Sequence, residues 1–198
     1  MINLFLFFLI SFLLTSGDLF SQKIRYTMQV NGREMGELQV ERRFENEIEI
    51  ITSRTNVKVD FLIKRMEVFS LIHTEYEGGL LQKAETRKVV NGEDKEFSKI
   101  YRVRTGYHFK NHEDELKNLP HSSINFTVNR LFFQEPVNLN QVFSERFGKY
   151  LKIEKAGPGY YLLHVPDEDP NGYYYKNGQF VKLDVNHSLM DISFVLVN

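Results

Sequence analysis

The 198 residues contain no cysteine. That excludes disulfides, thiolate metal sites, a cysteine nucleophile and a lipid-modified cysteine. Tryptophan is absent too, while Phe (17) and Tyr (10) are plentiful, an aromatic bias that favours strands over helices. An excess of one charge is also lacking, since 25 Lys and Arg face 26 Asp and Glu, for a formal net charge of −1. No global field draws in nucleic acid or an anionic membrane, so the balance argues against nucleic acid as a partner. A Gly-x-Ser-x-Gly elbow, a phosphate-cradling glycine loop, His-Glu-x-x-His and a dinucleotide fingerprint are all missing, and no cofactor is indicated. Long hydrophobic runs are scarce. Leu4 to Leu14 (LFLFFLISFLL) is uncharged but only eleven residues long, too short to cross a bilayer comfortably and suited to the hydrophobic region of a secretory signal. No Lys or Arg precedes it, so the amino terminus alone supplies the positive end. Thr15 and Gly17 suit cleavage after Gly17, and Ser21 is the other candidate. The reading is a signal peptide over residues 1–21 and one domain over 22–198, with no transmembrane segment in the mature chain.

What is present is alternation. Apolar residues make up 42% of the chain, enough to bury a core, and most fall at period 2. Ile24, Tyr26, Met28 and Val30 alternate with Arg25, Thr27 and Gln29. Asn31-Gly32 follows, suited to the positive φ angles of a tight hairpin turn, and Leu38 and Val40 mark the return strand. Strands are expected over Ile48–Phe61, Ile63–Tyr76, Leu80–Val90 and within Phe97–Phe109, with turns at Glu77-Gly78-Gly79 and Asn91-Gly92 and a bend at Gly106. His108–His121 reads as an exposed polar loop. Ser122 or Ser123 can then cap a short amphipathic helix carrying Ile124, Val128, Leu131 and Phe132 on one face, ended by Pro136. Further hairpins flank Ala156-Gly157-Pro158-Gly159 and Asn177-Gly178, and Ile192–Val197 reads as an apolar strand covered on both sides. The expected fold is mainly β, a strongly curved antiparallel sheet or incompletely closed barrel of serial hairpins, with one short helix inside the curve.

Specific residues carry a resemblance. Tyr26-x-Met28-x-Val30-Asn31-Gly32 with Gly36, and Arg130-Leu131-Phe132-Phe133-x-Glu135-Pro136, are followed by Phe143-Ser144-Glu145 and Gly148. Tyr161-x-Leu163, Pro166 and Asn171-x-Tyr173-x-Tyr175-x-Asn177-Gly178 complete the pattern. The chain resembles an uncharacterised family of exported β-rich proteins of Gram-negative bacteria, classed as a domain of unknown function. The turn Asp167-Glu168-Asp169-Pro170 departs from it by being longer. The resemblance implies a periplasmic or secreted location and no known activity. Its plan is similar to periplasmic lipoprotein carriers at the level of fold.

Several constellations compete for a chemical role. Asp167-x-Asp169-x-Asn171-Gly172 copies half of a calcium loop, but Gly178 stands where a bidentate Glu is needed, so a solvated acidic turn is the better reading. His108 and His112 have i, i+4 spacing without an amphipathic helix to order them, and no metal is assigned. Arg130, Glu135 and Glu145, with Arg146, read as a structural charge cluster near the helix end. A hydrolase of envelope sugars or peptides using Glu135 and Glu145 is the competing class. Tyr160, Tyr161, Tyr173, Tyr174 and Tyr175 form an aromatic patch, either cross-strand packing or a ligand platform. The expectation is non-enzymatic binding in a concave sheet, with Leu131, Phe132, Tyr161, Tyr173 and Tyr175 as candidate ligand contacts. The partner is a lipid or other apolar small molecule, or an envelope protein. A structural or assembly role without a ligand is the third reading.

Overall fold

The computed structural model describes residues 20–61, 64–113, 116–187 and 190–197. The leader assigned to residues 1–21 falls almost wholly outside these. The chain opens with β1 (Ser21–Val30), β2 (Arg33–Glu45), β3 (Ile48–Phe61), β4 (Lys64–Glu77) and β5 (Leu80–Val90). β6 (Glu93–Val103), β7 (Gly106–Asn111) and β8 (Leu116–Leu119) follow, then a single 3₁₀ turn, Val128–Phe132. The second series is β9 (Gln141–Ser144), β10 (Lys149–Gly157), β11 (Tyr160–Leu163), β12 (Asn171–Lys176), β13 (Gln179–His187) and β14 (Met190–Leu196).

All fourteen strands form one antiparallel sheet in the order β8-β7-β6-β5-β4-β3-β2-β1-β14-β13-β12-β11-β10-β9. Two meanders are thus joined where β1 lies against β14, Tyr26 opposite Leu196 and Val30 opposite Ile192. The sheet is not closed by hydrogen bonds, because β8 and β9 are its two edges. Side chains bring the two ends together instead. The His121 ring, just past β8, stands edge-on to Phe143 of β9 at 6.0 Å and to Tyr150 of β10 at 5.0 Å. The Ser98 hydroxyl of β6 donates to the Glu145 carbonyl at 2.7 Å. Gly148, at φ +61°, lies so close to the Phe109 ring of β7 that a Cβ there would sit 2.5 Å from it. This is the incompletely closed barrel that the serial hairpins predict.

The hairpin turns form for the reason the sequence offers. Asn31-Gly32, Asn91-Gly92 and Asn177-Gly178 all have positive φ at both residues, the geometry of a two-residue primed turn. Alternate residues of the strands then point into the curve. Tyr26, Ile51, Tyr76, Leu81, Ile100 and Phe180 are fully or almost fully buried there.

Three expectations need correction. The stretch 122–135 is not an amphipathic helix: only Val128–Phe132 coils, as a 3₁₀ turn. Its carbonyls are claimed from outside, Ile124 by the Leu81 N–H at 2.7 Å and Phe126 by the Phe143 N–H at 3.0 Å, so those carbonyls close no helical turn. The segment does cross the inside of the curve, as extended chain plus one turn. Next, His108–His121 is not a loop throughout, since it contains most of β7 and all of β8. Tyr107 and Phe109, one pleat apart, bury their side chains and hold β7 to the sheet. Last, β14 is not covered on both sides: Phe194 is buried, while Ile192, Ser193, Val195 and Leu196 are half-buried.

Candidate functional site

The segment that crosses the curve carries a buried polar network. Asn129 is fully buried, its amide donating to the Ile51 carbonyl at 3.1 Å and to Thr74 Oγ1 at 3.2 Å. The Ser53 hydroxyl in turn donates to Asn129 Oδ1. Beside it the Glu145 carboxyl, also buried, accepts from the Asn129 N–H at 2.9 Å and from Thr127. Thr127 Oγ1 shares a 2.6 Å hydrogen bond with the Tyr76 hydroxyl. Burial raises the Glu145 carboxyl above its ordinary value, against the lowering effect of these donors. The same burial, with the Glu145 charge nearby, pushes Tyr76 up as well. Each polar group has its partner, which is the condition for such a network to specify one packing.

The residues read as a charge cluster take different partners. Arg130 pairs with Glu49, donates to the carbonyls of Gly79 and Asn125, and lies 3.7 Å from the centre of the Tyr76 ring. Glu135 accepts from the Tyr161 hydroxyl at 2.8 Å. Glu145 belongs to the network above. Arg146 reaches Glu96 through Nη2 at 3.0 Å and Glu168 at 3.5 Å. Glu135 and Glu145 therefore serve separate contacts, each with its own donors, rather than facing one open cleft together.

Leu131, Phe132, Tyr161, Tyr173 and Tyr175, the candidate ligand contacts, are all placed in the packed core. Tyr175 donates to the Leu131 carbonyl at 2.7 Å, and its ring meets Phe180 at 5.5 Å and Tyr161 at 5.7 Å. Burial, together with the donated bond to Glu135, pushes the Tyr161 hydroxyl up to about 12. Tyr160 and Tyr174 face the other way and stack at 4.5 Å. Side chains on one face of adjacent strands pack against each other first, and here that packing uses up the tyrosines.

The space lies elsewhere on the same concave face. A cavity of about 550 Å³, open to solvent on one side, is walled by Met28 and Val30 of β1, Val57 of β3, Val68 of β4, and Ile192 and Phe194 of β14. Its size falls in the range of small-molecule sites. The register explains the wall: Met28 lies opposite both Phe194 and Gly36, Gly36 opposite Val57, and Val57 opposite Val68. Strand β2 gives that row no side chain, because a Cβ at Gly36 would meet the Asn56 carbonyl oxygen at 2.5 Å. The place is taken from β3 instead, since the Val57 Cγ2 lies 3.0 Å from the same point, so Val57 packs directly over Gly36. The rim is charged, with Arg87, Lys88, Glu96 and Arg146. Sequence reasoning saw Met28 and Val30 as strand residues and Gly36 as part of the family pattern, and missed the cavity, whose wall is assembled from strands far apart in the chain.

The remaining candidates do not gather. Asp167 and Asp169 are exposed in the turn before β12. His108, on β7, contacts the Tyr101 hydroxyl at 3.3 Å, and His112 lies in the turn beyond that strand. Among the described residues no three His, Asp or Glu side chains come together as a metal site, and no helix is long and apolar enough to cross a membrane.

A match to the family described as a domain of unknown function (DUF6134) spans residues 26–197. The chain belongs to this family. No curated protein and no solved structure matches it. The DUF6134 match runs from β1 to the end of β14 and so takes in both meanders, the buried network and the whole cavity wall.

Proposed function

We propose that this DUF6134 protein is an exported, non-enzymatic envelope protein that binds an apolar ligand in the open trough of its curved sheet. The observation that carries the reading is the cavity of about 550 Å³ with an aliphatic wall and a charged rim. A dry concavity bordered by a few polar groups is what an apolar ligand with one polar end requires. Packing supports it too. The 3₁₀ segment, Phe180, Tyr161, Tyr173 and Tyr175 fill one part of the concave face, while buried Met28 and Val57 and half-buried Val68 border the open space.

The test is native mass spectrometry of the protein purified from its own envelope fraction. A bound apolar molecule is expected, and Val68→Asp, which puts a charge on a half-buried wall position, should release it while the β-sheet circular dichroism persists. A protein recovered empty from the envelope, or one whose ligand survives Val68→Asp, would defeat the reading.

A further inference from the structure

The rim of the trough holds a feature that apolar binding alone does not use. Glu96 of β6 lies between two cations. Its carboxylate takes Arg146 in a two-pronged contact, Nε to Oε2 at 2.5 Å and Nη2 to Oε1 at 3.0 Å, and also accepts from Lys88 Nζ at 3.3 Å. All three side chains line the cavity mouth, and Arg87 lies beside them. Paired guanidinium and carboxylate is the geometry that selects a carboxylate over a neutral group. The elements that deliver it are unrelated in sequence. Lys88 and Glu96 come from the β5–β6 hairpin, and Arg146 comes from the turn after β9 on the far side of the seam. Arg87 is held outward by Asp94 at 2.6 and 3.0 Å, so the cations that face the mouth are Lys88 and Arg146.

We infer that Lys88 and Arg146 form a carboxylate-binding site at the mouth of the trough, and that Glu96 is its internal competitor. The occupant is a long-chain carboxylate, its head on Lys88 and Arg146 and its chain along Val68, Val57, Met28 and Phe194. Charge complementarity selects it: two cationic side chains, Lys88 and Arg146, face the mouth against the one carboxylate among its lining residues, and that carboxylate already shows how an anionic head sits. An uncharged chain of the same length gains the wall but not the head contact. On arrival of the ligand, Glu96 gives up its place and turns to solvent. This inference rests on the apolar-trough reading and adds the chemistry of the head group.

The experiment uses the full chain stripped of bound lipid and follows displacement of a neutral fluorescent probe, 1-aminoanthracene, by palmitate and by hexadecanol. Palmitate should bind about tenfold or more tighter than hexadecanol, the ratio that one hydrogen bond to a charged group supplies. Arg146→Gln should remove that preference, and Glu96→Gln should tighten palmitate by about threefold or more, since it takes away the competitor. Hexadecanol should respond to neither change. Opposite signs for two substitutions in one ion pair are not what loss of fold stability gives. Because Arg146 also pairs with Glu168, Lys88→Gln provides a second variant that leaves that link intact, and it should weaken palmitate as well. Equal binding of the two chains, or Glu96→Gln weakening palmitate, would overturn the carboxylate site while leaving the trough. Displacement by neither chain would overturn both.

Discussion

Glu145 gives the sharpest test of how the inside of the curve is held. Replacing it with Ala takes the acceptor from the buried Asn129 N–H at 2.9 Å, and from the Thr127 hydroxyl, which keeps the Tyr76 hydroxyl as a partner at 2.6 Å. A buried donor left unsatisfied costs about 1–3 kcal/mol, so the orphaned Asn129 N–H alone costs that much. That figure applies where the carboxyl is neutral. Burial raises its folded pKa, so folding favours the protonated form. The stability this provides is fully present below the unfolded value of about 4.3 and is lost as pH rises toward the raised folded value. Through that window the wild type loses about 1.4 kcal/mol for each pH unit. Glu145→Gln keeps an acceptor for Asn129 and does not titrate, so its curve is flat in this group. Urea denaturation of the wild type, Glu145→Gln and Glu145→Ala from pH 4 to pH 7.5 checks all of this at once. Glu145→Ala should show its largest deficit at pH 4, and Glu145→Gln should gain on the wild type as pH climbs. A wild type that gains on Glu145→Gln as pH rises would refute the argument, because the N–H donors would then outweigh burial.

Two further outcomes concern packing. At Gly79 and Gly178, with φ of +79° and +78° and nothing within 4 Å of an added Cβ, substitution by Val should cost the same at both, roughly 1–2 kcal/mol for the left-handed backbone alone. Gly159→Ala and Gly148→Ala should lower the melting temperature much further, since an added Cβ there strikes the Tyr175 carbonyl or the Phe109 ring; four similar shifts would contradict the assigned contacts. Leu131, fully buried within the curve, should cost about 2–5 kcal/mol when cut to Ala, and a loss under about 1 kcal/mol in urea would mean that the segment crossing the curve is not packed as described.

Much of the fold was legible because local rules decide it. Asn31-Gly32, Asn91-Gly92 and Asn177-Gly178 announce their turns, and the alternation from Ile24 to Val30 announces which face is buried. The failures share a cause. Ile124, Val128, Leu131 and Phe132 have helical spacing, but the carbonyls of Ile124 and Phe126 are claimed by strands distant in sequence, and no local pattern reports that. Tyr107 and Phe109 carried a strand signal that the surrounding polar residues masked. The cavity was illegible for a different reason. Met28, Gly36, Val57, Val68 and Phe194 are neighbours only through the register of five strands. The tyrosine patch, by contrast, was conspicuous in the sequence, and the apolar rings of Tyr161, Tyr173 and Tyr175 sent those three into the core.

The join between β1 and β14 has a consequence for how the chain acquires its shape. Within each meander nearly every strand pairs with the one just before it, so both arms are assembled from short-range closures of low entropic cost. The β1–β14 ladder closes a loop running almost the length of the domain, sealed at its ends by the Asn31 N–H on the Asp191 carbonyl at 2.9 Å and the Val197 N–H on the Arg25 carbonyl at 3.0 Å. Met28, Val30, Ile192 and Phe194 line the trough from these two strands, so the cavity wall is complete only once this most non-local ladder has formed. A chain halted before it would carry two formed arms with bare edges at β1 and β14, the kind of unpaired ladder that recruits a neighbouring copy.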